Sequence, residues 1–130
     1  MKKWSNSWKG STKRKKQIKY VKKAPLHKRK NFMTATLSKD LRKKYSRRTL
    51  TVRKGDKVKV MRGQFRKTTG KITEVDTQRQ KVYIEGVELI KKDGSKAMYP
   101  VHPSNIMITE PNMEDRKRKK IVERKGKGAK

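Results

Sequence analysis

Charge is distributed so unevenly along this chain that only its middle can fold as an ordinary domain. Residues 1–49 hold nineteen lysines and arginines and one acid, Asp40; residues 50–110 hold thirteen and seven; residues 111–130 hold nine and three. The corresponding charges of +18, +6 and +6 make up the formal +30 of the 130-residue chain. Arms this basic repel themselves unless a polyanion neutralises them. Phosphate is the obvious counter-charge, because each backbone phosphate neutralised releases condensed counterions and gives sequence-independent, salt-sensitive affinity. Copies of such a chain repel one another, so no homo-oligomer is expected.

Hydrophobic residues are 30% of the sequence and charged ones 40%. That composition predicts one core of roughly 60 residues, near the lower limit for independent stability, carrying extended arms. No apolar run approaches the roughly 20 residues of a membrane span, and no apolar signal-peptide core opens the sequence. The expectation is a cytoplasmic chain without membrane insertion. With no cysteine, disulfides, thiolate nucleophiles and cysteine-bound zinc are excluded. His27 has no second ligand at usable spacing and His102 reads as structural, so neither metal nor cofactor is expected. The carboxylates sit among cations and no pair is placed for acid–base work, so the chain is not expected to be an enzyme.

Four segments follow. Residues 1–23 form a basic extended tail in which Lys13, Arg14, Lys15, Lys16, Lys19, Lys22 and Lys23 recur without an apolar stripe, expected to lack fixed structure in isolation and to take up phosphates. Its aromatics Trp4, Trp8 and Tyr20 could stack on bases; the two tryptophans are equally open to capping the barrel or packing on a neighbouring protein. Residues 24–48 form a basic helical arm. Pro25 suits the first position of a short helix through Met33 that presents His27, Lys28, Arg29 and Lys30. Ser38 is placed to cap a second helix, with Asp40 in its first turn, Arg42, Lys43 and Lys44 toward its end, and Arg47 and Arg48 beyond.

From Leu50 the hydrophobic period becomes two: Val58 and Val60 flank Lys59, Ile72 precedes Val75, Val82 and Ile84 flank Tyr83, and Ile106 and Ile108 share a face. Gly55-Asp56 breaks the chain before the first strong strand, Asp76–Gln80 reads as a hairpin connection, and Asp93-Gly94 is the strongest turn dipeptide. About five short strands between residues 49 and 110 predict a small, curved antiparallel barrel. Tyr83 and Tyr99 would cover its surface, and His102, between Pro100 and Pro103, would order the bend into the last strand. Residues 111–130 form a basic C-terminal helix and tail, with Asn112 as N-cap, Glu114 and Asp115 in the first turn, and Gly126 and Gly128 as the stop. Its few apolar residues, Met113, Ile121 and Val122, let it form fully only when docked.

The most informative stretch runs from Gly55 through Gly63, continues as Gln64-Phe65-Arg66-Lys67-Thr68-Thr69-Gly70-Lys71-Ile72, and ends at Glu74-Val75-Asp76. Two strands are joined by a loop framed by Gly63 and Gly70, with Arg62, Arg66, Lys67 and Lys71 around it. Glycine permits positive φ and close backbone approach, and the cations supply phosphate contacts. A solvated hairpin tip is an equally good reading of the loop alone. Phe65 either anchors it, the favoured role, or stacks on an exposed base.

This strand-loop-strand element resembles the KOW motif of SH3-like barrels in ribosomal and transcription-elongation proteins. The likeness extends to Ala24-Pro25-Leu26-His27, to Leu37 through Tyr45, to His102-Pro103-Ser104-Asn105 and to Asp115 through Ile121. In that order these segments are similar to the archaeal and eukaryotic form of universal large-subunit ribosomal protein twenty-four, over roughly residues 24–124. One departure concerns the loop, where many members have a further glycine and this chain has Lys67 or Thr68, which predicts a less pliable loop. The resemblance implies a mainly β, SH3-like barrel with short flanking helices and extended basic N- and C-terminal arms. It also implies a structural, non-enzymatic constituent of the large subunit that binds large-subunit ribosomal RNA, acts early in assembly and lies near the exit tunnel. Its partners would be that RNA, neighbouring large-subunit proteins and factors at the tunnel exit; His27 and His102 would join the RNA-contacting set. The alternative is a KOW-type transcription-elongation or chromatin-associated factor, for which 130 residues leave little room for a polymerase-binding domain. A polybasic membrane-surface protein is disfavoured because the basic runs lack an apolar face.

Overall fold

Alternation of branched and basic residues along the middle of the chain becomes alternation of burial, and a sheet results. The computed structural model describes residues 4–7 and 10–126. In chain order these form α1 (Arg14–Lys23), α2 (Leu26–Arg29), a 3-10 turn (Lys30–Phe32), β1 (Thr34–Leu37), α3 (Lys39–Tyr45), β2 (Thr49–Thr51), β3 (Lys57–Val60) and β4 (Thr69–Asp76). There follow β5 (Lys81–Ile84), β6 (Glu88–Ile90), β7 (Lys96–Met98), a second 3-10 turn (Pro103–Asn105), β8 (Ile106–Glu110) and α4 (Arg116–Gly126). Six strands make one sheet in the order β2-β1-β8-β3-β4-β5, and β6 and β7 form a separate hairpin. Pairing is antiparallel except between β1 and β8, where Thr36 lies beside Met107 and Leu37 beside Ile108 in parallel register.

The sheet is mainly antiparallel and rolled, as expected, but its strand ladder does not run all the way round. Register shifts in β3–β8 and β4–β5 curl it. Beyond β5 the roll is joined by one bridge, where Val82 and Val101 exchange backbone hydrogen bonds of 2.8 and 2.9 Å. From Val101 the chain passes through the second 3-10 turn into β8. Inside the roll lie Val58, Val60, Ile72, Val82, Ile84, Val87, Ile106 and Ile108, all buried.

The core is larger than the predicted 49–110 segment. Met33, Ala35 and Leu37 are buried in it, because β1 inserts between β2 and β8 within what reads as a helical arm. The helix expected over residues 25–33 is correspondingly a single turn of α2 and a 3-10 turn. Ser38 does cap α3, its Oγ accepting from the Leu41 amide at 3.3 Å.

The tail also departs from expectation: residues 14–23 are helical rather than extended. No side chain of α1 is buried, and like charges four apart, such as Lys15 and Lys19, disfavour it. Arg29 and the Trp4–Tyr20–Phe32 ring contacts hold it. Arg29 Nε donates to Ala24 O at 2.8 Å, Nη1 to Gln78 O at 3.0 Å and Nη2 to Lys22 O, tying the end of α1 to α2 and to the β4–β5 turn. Trp4 packs on the tail helix rather than capping the barrel. Its ring stacks on Tyr20 of α1 with centroids 5.0 Å apart, and its Nε1 donates to Tyr20 O at 3.1 Å. Trp8 lies outside the described residues.

At the other end α4 begins at Arg116, and Asp115 rather than Asn112 caps it, Oδ1 accepting from the Lys117 amide at 2.7 Å. Asn112 instead closes a turn onto the Glu114 amide at 2.9 Å. The helix docks on its own domain, burying Val122 in the core and Arg118 against Asp56. Arg118 Nη1 and Nη2 meet Asp56 Oδ1 and Oδ2 at 2.5 and 2.8 Å. Asp56 also accepts from the Arg53 and Asn112 amides at 2.9 and 2.8 Å, and Arg118 donates to Asn112 O and Thr51 O.

Candidate nucleic-acid interface

Residues 61–68 connect β3 to β4 as a tightly bonded loop. Lys67 N donates to Val60 O at 2.9 Å, Val60 N to Thr68 O at 2.8 Å, and Met61 N to Asn105 O at 2.7 Å across to the second 3-10 turn. Phe65 takes the anchoring role: half-buried, it packs its ring 5.2 Å from that of Tyr99. With the aromatic turned inward, Arg62, Arg66 and Lys67 are left exposed, and Lys71 follows on β4.

The framing glycines divide the two tasks expected of them. Gly63 has φ +98° with open space around it and supplies the turn. Gly70 supplies close approach: a Cβ there would stand 2.2 Å from Glu85 O and 2.9 Å from Ile84 Cγ2. Of Lys67 and Thr68, the two positions at which the resemblance implies a further glycine, Lys67 adopts φ +76°. A left-handed residue with a side chain costs about 1–2 kcal/mol, and added chain flexibility with glycine returns about 0.5–1 of it. Lys67→Gly is therefore expected to stabilise the isolated chain by about 0.5–1 kcal/mol in urea melts; a destabilised variant would show that the lysine stem carries packing of its own.

Beside the loop lies a cleft of about 120 Å³ whose walls include Arg62, Phe65, Lys81, Tyr99 and His102. Lys81 and Tyr99 are additions that sequence reasoning did not place at the site; only the rolling of β5 toward residues 99–101 brings them there. His102 performs the ordering role, its Nδ1 accepting from the Ser104 amide at 3.3 Å and lying 2.9 Å from Ser104 Oγ. Burial, then the nearby Lys81 charge, hold its pKa below the ordinary 6.5. The unfolded chain therefore binds this proton more readily, so the His102 contribution to stability is complete above pH 6.5 and is lost as pH falls through the lowered folded value. His102→Gln should flatten that part of the pH–stability profile; an unchanged slope below pH 6.5 would refute the assignment.

The remaining predicted cations fall into two groups. Arg29, Arg42 and Arg47 are turned to structural use, Arg42 Nε donating to Leu37 O at 2.8 Å and Arg47 Nη1 to Ile121 O at 3.0 Å. Lys13, Arg14, Lys15, Lys16, Lys19, Lys22 and Lys23 around α1 are exposed, as are His27, Lys30, Lys43, Lys44 and Arg48, while Lys28 is half-buried. Among the described residues, the ion pairs are Arg53–Asp115, Lys57–Glu110, Arg79–Asp76, Lys96–Glu88 and Arg118–Asp56. None of them uses a cation from the predicted set.

A family model for the eukaryotic L26 ribosomal proteins and their archaeal counterparts matches residues 11–125. The chain belongs to that family. It is 46% identical over 110 residues to the large ribosomal subunit protein uL24 of Methanosphaera stadtmanae, covering 85% of this chain and 94% of that one. To the uL24 protein of Korarchaeum cryptofilum it is 43% identical over 111 residues, covering 85% of each. The family match takes in α1 and α4 as well as the sheet, so both basic arms belong to the ribosomal pattern.

Proposed function

We propose that the chain is a structural constituent of the cytoplasmic large ribosomal subunit and binds its ribosomal RNA through the β3–β4 loop and the basic arms. Early entry into assembly and a place near the exit tunnel, beside other large-subunit proteins and tunnel-exit factors, complete the proposal and rest on the family. The observation that carries RNA binding is the separation of charge: the ion pairs among the described residues, those of Asp56, Asp76, Glu88, Glu110 and Asp115, all use cations elsewhere, while the loop, α1 and α3 cations have no carboxylate partner among the described residues. Backbone and shallow-groove contacts are how RNA duplex is read, and they suit lysine and arginine without a base-reading code. The names of the relatives give the transcription or chromatin alternative no support.

Filter binding to large-subunit RNA across a salt series tests the proposal. For about ten neutralised phosphates the slope of log affinity against log salt should be roughly −7 to −9. Arg62→Glu, Arg66→Glu and Lys67→Glu together should weaken binding and reduce that slope by about 2–3, with the circular-dichroism spectrum unchanged. A wild-type slope near zero defeats the mechanism, and loss of the folded spectrum makes the three residues structural.

A further inference from the structure

A cleft between β2 and α4 is lined by four cations and, among the described residues, by no carboxylate. Its volume is about 310 Å³, at the lower end of the roughly 300–1,000 Å³ of small-ligand sites, and the cations are Lys30, Arg47, Arg53 and Arg118. Two of the four charges are met by carboxylates outside the lining, Arg118 by Asp56 and Arg53 by Asp115. Lys30 and Arg47 therefore leave the cleft two positive charges in excess. Register makes the rest of its lining polar: β1 and β2 turn Ala35, Leu37 and Leu50 into the core, so Thr34, Thr49 and Thr51 take the opposite face, with Thr34 directly across from Thr51. One donor there is unpaired. Arg118 gives Nη1 and Nη2 to Asp56, Asn112 O and Thr51 O, whereas its buried Nε–H has no partner among the described residues. An unpaired buried N–H is unfavourable, and an acceptor placed beside it removes the penalty.

We infer that this cleft binds one phosphate group, whose oxygens accept from Arg118 Nε, Lys30 Nζ, the Arg47 donors not engaged with Ile121 O, and the threonine hydroxyls. Guanidinium and hydroxyl donors around uncompensated positive charge suit a phosphate oxyanion, and the Asp56 pair holds the Arg118 guanidinium in place before any ligand arrives. This is a second site and not an extension of the loop, since β1 and β8 lie between β2 and β3 in the sheet. A backbone phosphate of RNA and a free phosphate group offer the same chemistry. The inference rests on the ribosomal reading only for the first of these sources.

Titrating the full chain with inorganic phosphate while recording arginine Nε–H signals by NMR tests the cleft. The Arg118 signal should shift saturably at phosphate concentrations that leave the signal of exposed Arg66 in the loop unmoved. Lys30→Gln combined with Thr51→Val should weaken that binding about tenfold, with the circular-dichroism spectrum unchanged. No shift at Arg118, equal shifts at both arginines, or wild-type phosphate affinity in the double variant would overturn the inference. A salt series against large-subunit RNA then separates the sources: a slope shallower by about one in the double variant assigns the cleft to a backbone phosphate, and an unchanged slope assigns it to a free phosphate group. A wild-type slope near zero with the Arg118 shift intact would count against RNA binding and leave the phosphate cleft standing.

Discussion

Asp56→Ala should lower the unfolding free energy by about 3–5 kcal/mol, a large part of the roughly 5–15 kcal/mol available to a small domain. The reason is an asymmetry of burial. Arg118 is 2% exposed and Asp56 fully buried, so removing the carboxylate leaves a guanidinium in the interior with no counter-charge. The Arg53 and Asn112 amides lose their acceptor at the same time. Replacing both partners, as Asp56→Leu with Arg118→Met, should recover only part of the loss, since those amides and the Thr51 and Asn112 carbonyls stay unmatched. Urea unfolding of the full chain measures both variants against the wild type. A cost below about 1 kcal/mol for the single change would mean that water replaces the carboxylate and the pair is not a fastening of α4 to the sheet.

Gly70→Ala is expected to cost about 3 kcal/mol or more, the upper end for overpacking, because what it meets is backbone. The new methyl would sit 2.2 Å from Glu85 O, and no rotamer change can relieve that. Relief requires β4 to part from residues 84–85, where Glu85 N donates to Lys71 O at 2.9 Å. Gly63→Ala meets nothing within 4 Å and should lose only about 1 kcal/mol, from its positive φ. Equal costs for the two alanines would contradict the division of labour between them.

The β3, β5 and β8 strands were legible because each sets branched residues two apart, Val58 and Val60, Val82 and Ile84, Ile106 and Ile108, and the Ser38 cap and Asp93-Gly94 turn because their chemistry is local; β4 carries Ile72 and Val75 three apart, across a register shift. Of the proposed site, the exposure of the loop cations was legible because charged side chains face solvent, whereas the turning of Arg29, Arg42 and Arg47 to backbone carbonyls depends on packing. β1 was not legible. Its four residues, Thr34–Leu37, follow a basic stretch and take their place only through β2 and β8. Arg118 was hidden by its neighbours, since one interior arginine in Arg116-Lys117-Arg118-Lys119-Lys120 looks like any solvated cation. α1 was hidden because its support, the Arg29 guanidinium with its bond to Gln78 O and the Trp4 and Phe32 rings on Tyr20, leaves no periodic signature.

The parallel pairing of β1 with β8 bears on how the molecule is made. Thr36 donates to a carbonyl 70 positions downstream, so the partner strand does not yet exist when the first one leaves the synthetic machinery. At roughly 5–20 residues per second, several seconds pass with that edge unsatisfied. The sheet is therefore completed late, from its last strand backwards, and a nascent copy truncated before Ile106 lacks the middle of its own sheet.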